Sequence, residues 1–237
     1  MENQEAFGFT LLVNKPLEWT SFDVVNKLRY AAKHITGRKK IKVGHAGTLD
    51  PLASGLMIIC VGKHTKSIES YMGLDKQYTG TFKLGATTPS YDLETEVDAA
   101  YDLPANDPEE LQSVARQFVG TIEQVPPAFS AKKIDGKKAY ELARKGKEVN
   151  MKSAQIRIER FDLDCTNFPE IAFTLDCSKG TYVRSLAHDF GKAVGSGAHL
   201  TRLKRTKIGD MLLENAYGID EAREAIQEAW NCFSNKH

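Results

Sequence analysis

The chain has 237 residues, 32 Lys plus Arg against 31 Asp plus Glu, a formal charge of +1 and 41% hydrophobic residues. This composition excludes a disordered chain, and four scattered cysteines (Cys60, Cys165, Cys177, Cys232) without a CxxC pair exclude a disulfide scaffold. The longest strongly apolar run, residues 56–61, is far too short to span a bilayer, and Met1-Glu2-Asn3-Gln4-Glu5 has neither the basic start nor the apolar run of a secretory leader. The expected setting is the cytoplasm, with the thiols reduced and packed.

In chain order, residues 9–13 read as a strand ending at Lys15-Pro16. Ser21 is the predicted cap of a helix to about residue 34, with Val24, Val25, Leu28 and Ala32 on one face. Four glycines and a proline make 36–55 a loop. A buried strand over 56–61, a short helix near 65–72 and a strand over 77–84 follow. Asp107-Pro108-Glu109-Glu110 opens a helix that buries Leu111, Val114, Ala115 and Phe118 and stops at Gly120. Residues 125–137 form a loop or hairpin around Asp135-Gly136, then a short helix to about 145. Strands over 155–164 and 170–177 are separated by Asn167-Phe168-Pro169, and a helix spans 182–194. A strand near 199–207 and a last helix over 220–230 complete the chain. Strands and helices mix without regular βαβ alternation, so the predicted class is α+β.

The total charge hides segregation. Residues 24–68 hold nine Lys or Arg and one acid, Asp50, whereas residues 85–125 hold nine acids and only Arg116. Residues 128–160 carry ten cations against four acids, residues 179–207 carry seven against Asp189, and residues 210–230 are acidic again. Each block can be a solvated face. Three basic blocks folded onto one side would instead form the positive footprint that suits a phosphate backbone.

The segment from Lys42 to Gly55 carries the chemistry: Gly44-His45-Ala46-Gly47-Thr48-Leu49-Asp50-Pro51-Leu52-Ala53-Ser54-Gly55 runs from a basic loop into a buried strand. Two readings are open for Asp50. It can be an Asp-Pro turn capping local amides, or a carboxylate kept ionised by neighbouring cations for nucleophilic attack or charge stabilisation. His45 can likewise be a loop hydrogen-bonder, and no second His or Cys stands at metal-ligand spacing. Tyr78 and Tyr182 lie among cations, where a tyrosine either packs half-buried or stacks on a base. There is no phosphate loop of the GxxxxGK type and no dinucleotide fingerprint.

Taken together, these residues resemble the tRNA pseudouridine-55 synthase family (TruB type). The motif around Asp50 resembles the family's catalytic motif. The likeness extends through Lys15-Pro16, Tyr78, Leu84-Gly85-Ala86, Ile122 to Lys132, Asp135 to Tyr140, Cys177 to Arg184, and Gly197-Ala198-His199 followed by Leu203. It covers roughly residues 9–208. The resemblance implies an α+β pseudouridine synthase fold with a central, mostly antiparallel mixed sheet, flanked by helices and loops, that binds the T-arm of tRNA. It also implies that Asp50 is the nucleophile, acting on a uridine flipped from the T-loop. Tyr78 would stack on that base with Tyr182 as a pocket wall, and Leu203 would line the pocket. Arg184 would hold the catalytic carboxylate, oriented by Asp92, and His45 would wedge the base out. Residues 124–152, with eight Lys and Arg, match the loop that grips the T-stem. The usual acid after Gly85-Ala86-Thr87-Thr88 is Pro89 here. The expected organisation is one catalytic domain over residues 1–237 without the C-terminal PUA domain many relatives carry. It would work as a monomer, without cofactor, metal, membrane contact or obligate protein partner. Two other readings stand beside this one: a non-catalytic tRNA-folding chaperone, and a relative acting on ribosomal RNA.

Overall fold

The computed structural model describes residues 7–130, 132–134, 136–147 and 149–235, so Asp135 of the expected Asp-Gly turn lies outside it. The chain divides into two compact units, one of residues 7–77 with 204–235 and one of residues 78–203.

The first unit begins with β1 (Gly8–Lys15), α1 (Ser21–Thr36), β2 (Val43–His45) and β3 (Ala53–Gly62). A 3-10 turn (Lys63–Ser67) leads into α2 (Ile68–Met72). β4 (Lys76–Leu84) starts in this unit and continues in the other. The strand order here is β1-β3-β12, where β12 is Ala198–Ile208, with β2 paired to β3 and β13 (Met211–Leu212) to β12. β1 lies antiparallel to β3 from Gly8↔Gly62 to Lys15↔Gly55. All of β3 from Gly55 to Val61 is buried, because both sides of the sheet are covered; that is why its sequence reads as an unbroken apolar run. The closing helix α6 (Ile219–Ser234) packs on α1 and β1. Trp230 and Phe233 meet Phe7 at 5.1 and 5.3 Å between ring centroids, and the Arg38 guanidinium lies over Phe7 and Trp230.

The cap of α1 is one residue earlier than the sequence suggests. Thr20 Oγ1 accepts from the Asp23 amide at 3.0 Å, and the Asp23 carboxylate accepts from the Thr20 amide at 2.8 Å, a reciprocal capping box. Ser21 is the first helical residue, and its hydroxyl is engaged elsewhere. The helix ends at Gly37, whose φ of 66° suits glycine.

In the second unit the strand order is β12-β4-β11-β10-β7, with β7 at Gly120–Gln124, β10 at Ala154–Asp164 and β11 at Glu170–Cys177. β10 runs antiparallel to both β7 and β11, with a register shift between Ile158 and Arg160. Two small hairpins, β5 (Ala86–Thr87) with β6 (Ala99–Ala100) and β8 (Lys133–Ile134) with β9 (Lys137–Lys138), extend from this frame. The helices are α3 (Pro108–Arg116), α4 (Ala139–Ala143) and α5 (Val183–Ala193). β11 alternates strictly, turning Ile171, Phe173, Leu175 and Cys177 inward. Phe82, Phe161, Phe173 and Phe190 form an aromatic core with centroids 5.0–6.5 Å apart. The α+β class with a mostly antiparallel sheet is therefore borne out.

Four expectations need correction. The 36–55 segment contains β2 and the start of β3, because Val43 can bury beside Val61 once Gly44 pairs with Cys60. α3 ends at Arg116 rather than Gly120, although Phe118 still packs edge-on against Phe161. β7, the β5–β6 hairpin and β13 were not expected at all. Cys60, Cys165 and Cys177 are buried free thiols as expected, but Cys232 on α6 is exposed.

Candidate active site

In the first unit, Asp50 lies in the connection from β2 to β3, and its neighbours on either side are tied down. Leu49 is bracketed by Ser21, whose Oγ accepts from the Leu49 amide at 2.8 Å and donates to its carbonyl at 3.0 Å. The Pro51 carbonyl accepts from the Glu18 amide at 2.8 Å and from Lys15 Nζ at 3.3 Å. Glu18 adopts φ 67°, a conformation L residues rarely take, to present that amide. The half-buried Asp50 thus sits between two fixed points, and its own carbonyl accepts from the Ala53 amide at 3.1 Å as β3 begins.

Two fully buried cations hold the same connection. Lys15 is 0% exposed, and its Nζ also donates to the carbonyls of Pro16 at 2.9 Å and Trp19 at 2.5 Å. Arg205, 1% exposed, donates from Nε to the Leu56 carbonyl at 2.7 Å, from Nη2 to Gly47 at 3.1 Å and from Nη1 to Thr48 at 3.5 Å. The strands are so close here that a Cβ on Gly55 would lie 2.3 Å from the Arg205 carbonyl oxygen, and Gly55 has φ 107°. Only glycine fits.

Burial pushes Lys15 down to about 8, Asp50 and Asp23 oppose that fall, and Arg205 adds to it. His45 is half-buried, and burial followed by Arg205 holds it below the usual imidazole range while the Gly47 backbone pulls the other way. It is therefore neutral near pH 7. For Lys15 the folded pKa lies below the unfolded value of 10.5, so the unfolded chain binds more protons between pH 8 and 10.5. The penalty for burying this ammonium is full below pH 8 and is relieved as pH rises. Wild type is expected to gain melting temperature relative to Lys15→Met across that window, by about 3 °C per pH unit. A difference that stays flat from pH 8 to 10 would show that Lys15 keeps its proton.

In the second unit, Arg184 is at the start of α5 and only 4% exposed. Its Nε lies 3.6 Å from Asp92 Oδ2, itself on a side chain 7% exposed, and its Nη1 donates to the Ser90 carbonyl at 3.1 Å. The other oxygen of Asp92 accepts from the Glu94 amide at 3.0 Å. Tyr182 caps α5, and its backbone forms a paired contact with the buried Gln124 side chain. Its amide donates to Oε1 at 2.8 Å and its carbonyl accepts from Nε2 at 3.1 Å. Tyr78 is buried on β4, and Leu203 is half-buried on β12. The cations Lys132, Lys137, Lys138, Arg144, Lys145, Lys147 and Lys152 are all exposed. Arg144 also meets Glu94 at 2.6 Å.

The structure therefore gathers Asp50 and His45 into one unit with Lys15 and Arg205, and Arg184 and Asp92 with Tyr182, Tyr78 and Leu203 into the other. Sequence reasoning missed Arg205, Gln124 and the Ser21 bracket. A lone Ser beside a capping Thr, and a Gln preceding Val125-Pro126, were the only hints. Among the described residues, no group of three or more His, Cys, Asp and Glu could hold a metal ion, and no helix is long and apolar enough to cross a membrane.

Comparison with solved structures gives the class. The chain resembles a chain of a Cbf5-Nop10-Gar1 complex with a TM-score of 0.65 and 24% identity, and one of an H/ACA RNP bound to a substrate RNA containing 2'-deoxyuridine with a TM-score of 0.64 and 23% identity. It covers 94% and 92% of its own length but only 58% and 53% of theirs, and at these identities the likeness is one of fold. The fold is that of the pseudouridine synthases. The sequence profile of the TruB family pseudouridylate synthase (N terminal domain) matches residues 33–183. The tRNA pseudouridine synthase B of Phocaeicola vulgatus is 52% identical over 221 residues, covering 93% of this chain and 94% of the relative. That of Flavobacterium johnsoniae is also 52% identical, covering 93% and 96%. The chain belongs to the TruB family of pseudouridine synthases.

Proposed function

We propose that this chain is a cytoplasmic isomerase that converts uridine 55 in the T-loop of tRNA to pseudouridine, working as one catalytic domain. The observation that carries this reading is 52% identity, along almost the full length of both chains, to relatives named tRNA pseudouridine synthase B. Asp50 is the nucleophile, on a connection fixed by Ser21, Lys15 and Arg205. Arg184, oriented by Asp92, holds the catalytic carboxylate. Tyr78 stacks on the flipped base, Tyr182 and Leu203 wall the pocket, and neutral His45 fills the space the base leaves. The C1′–N1 bond breaks, C1′ bonds to C5, the C5 proton departs and N1 ends protonated, so substrate and product balance without a co-reactant. The exposed cations between Lys132 and Lys152 support a grip on T-stem phosphates.

Incubating the protein with unmodified tRNA and mapping each pseudouridine tests the assignment. Modification is expected at one T-loop uridine. Modification elsewhere, or in a ribosomal RNA fragment but not in tRNA, would overturn it.

A further inference from the structure

Three consecutive residues, Ser90, Tyr91 and Asp92, face α5 together. Ser90 and Asp92 hold Arg184 as described. Between them, the Tyr91 ring stacks on His188, one helical turn beyond Arg184, with centroids 3.9 Å apart and planes 13° apart. Tyr91 has φ 64°, an uncommon conformation for a bulky L residue. Such a conformation persists only when its surroundings fix it. Its amide donates to the Thr88 carbonyl at 3.0 Å, and its carbonyl accepts from the Leu200 amide at 2.9 Å. Ser90 is held further by Thr95, and the Asp92 carbonyl accepts from both Thr88 Oγ1 and Ser90 Oγ.

We propose that Tyr91 and His188 are positioning residues for Arg184. Their stacked rings lock residues 90–92 onto α5, so that the Ser90 carbonyl and the Asp92 carboxylate hold the guanidinium in one orientation. The inference rests on the role of Arg184 given above. It explains why a tyrosine occupies a backbone conformation that glycine would adopt freely: the ring contact outweighs the backbone cost. The groups facing the stack are Asp98, Asp189 and Lys192. Burial chiefly, then Lys192, keeps His188 low, at about 4, so both rings are uncharged at neutral pH.

Tyr91→Gly removes the ring while keeping the φ, and His188→Ala removes its partner. Both are expected to lower kcat about tenfold at unchanged affinity for tRNA, because a misaimed guanidinium affects the reacting geometry and not phosphate contact. Tyr91→Phe and His188→Phe, which keep the stack, are expected to stay within about twofold of wild type. Rates are referred to the folded fraction measured by circular dichroism. A loss that vanishes on that correction overturns the inference, as does full kcat in both Tyr91→Gly and His188→Ala alongside an impaired Arg184→Lys. Full activity of Arg184→Lys would instead overturn the role of Arg184 itself.

Discussion

Replacing Asp50 by Asn is expected to abolish pseudouridine formation, by on the order of 10^4-fold or more, while tRNA affinity stays within about twofold. Asn matches Asp in shape, so the connection between β2 and β3 should survive. Its fixed points include the Leu49 and Pro51 main-chain groups held by Ser21, Glu18 and Lys15, contacts made to the main chain on either side of Asp50. The substitution removes the negative charge that Lys15 senses. The measurement is single-turnover modification of unmodified tRNA with a parallel binding titration. Turnover within tenfold of wild type would mean that another group does the chemistry. The chaperone reading predicts that Asp50→Asn still refolds the T-arm at the wild-type rate, so a refolding assay on the same variant separates the two activities.

Asp50 stands out in the sequence because it is the only acid in a long basic stretch and is followed by a proline. Those are local properties, and local properties are what a sequence displays. The strands β3, β4, β10 and β11 were legible for the same reason, since burial on one or both faces fixes their residue pattern. The residues that fix the main chain beside the candidate site residues are different. Arg205 reaches a carbonyl 149 positions away, Lys15 one 36 positions away, and Gln124 binds the Tyr182 backbone 58 positions away. Their partners are main-chain groups, which every residue carries, so no side-chain pairing marks them. β2 was hidden because a three-residue strand centred on a glycine has little propensity of its own and forms only by pairing with β3. The cap of α1 slipped by one because Thr20 and Ser21 are both good capping residues. Asp23, standing three after Thr20, decides between them by closing the box. The pairing of Arg184 with Asp92 came from the family likeness alone; nothing in the spacing of those residues suggests it.

The charge total illustrates the same limit. A sum of +1 would argue against an RNA partner, but it averages basic and acidic blocks. The exposed lysines of the segment around β8, β9 and α4 show where one of those blocks lies. Glu123, exposed in the same unit, offsets them in the sum, and Glu94 pairs with Arg144 alone of that segment, at 2.6 Å, among the ion pairs described.

Arg205→Met should be the most destabilising substitution at the site, for a reason independent of catalysis. Methionine fills much of the same volume but donates nothing, so the buried Leu56 carbonyl and the half-buried Gly47 carbonyl each lose a hydrogen bond, and Thr48 loses a longer contact. At about 1–3 kcal/mol for the buried acceptor left unmade and about 1 kcal/mol for each of the two partly exposed ones, the cost is about 3–5 kcal/mol. For a chain of this size that corresponds to a fall in melting temperature of about 10 °C or more. The damage should also be local. The Gly47 and Thr48 carbonyls belong to the connection that carries Asp50, so amide exchange over residues 46–52 should quicken more than exchange in β10 and β11 of the other unit. The folded fraction should turn over about 100-fold more slowly, the penalty for a reacting group misplaced by roughly an ångström. Arg205→Lys keeps the charge but cannot span three acceptors with one ammonium, so it should fall between the two. A melting temperature within 2 °C of wild type, together with unchanged protection of residues 46–52, would show that Arg205 is not what holds the Asp50 connection.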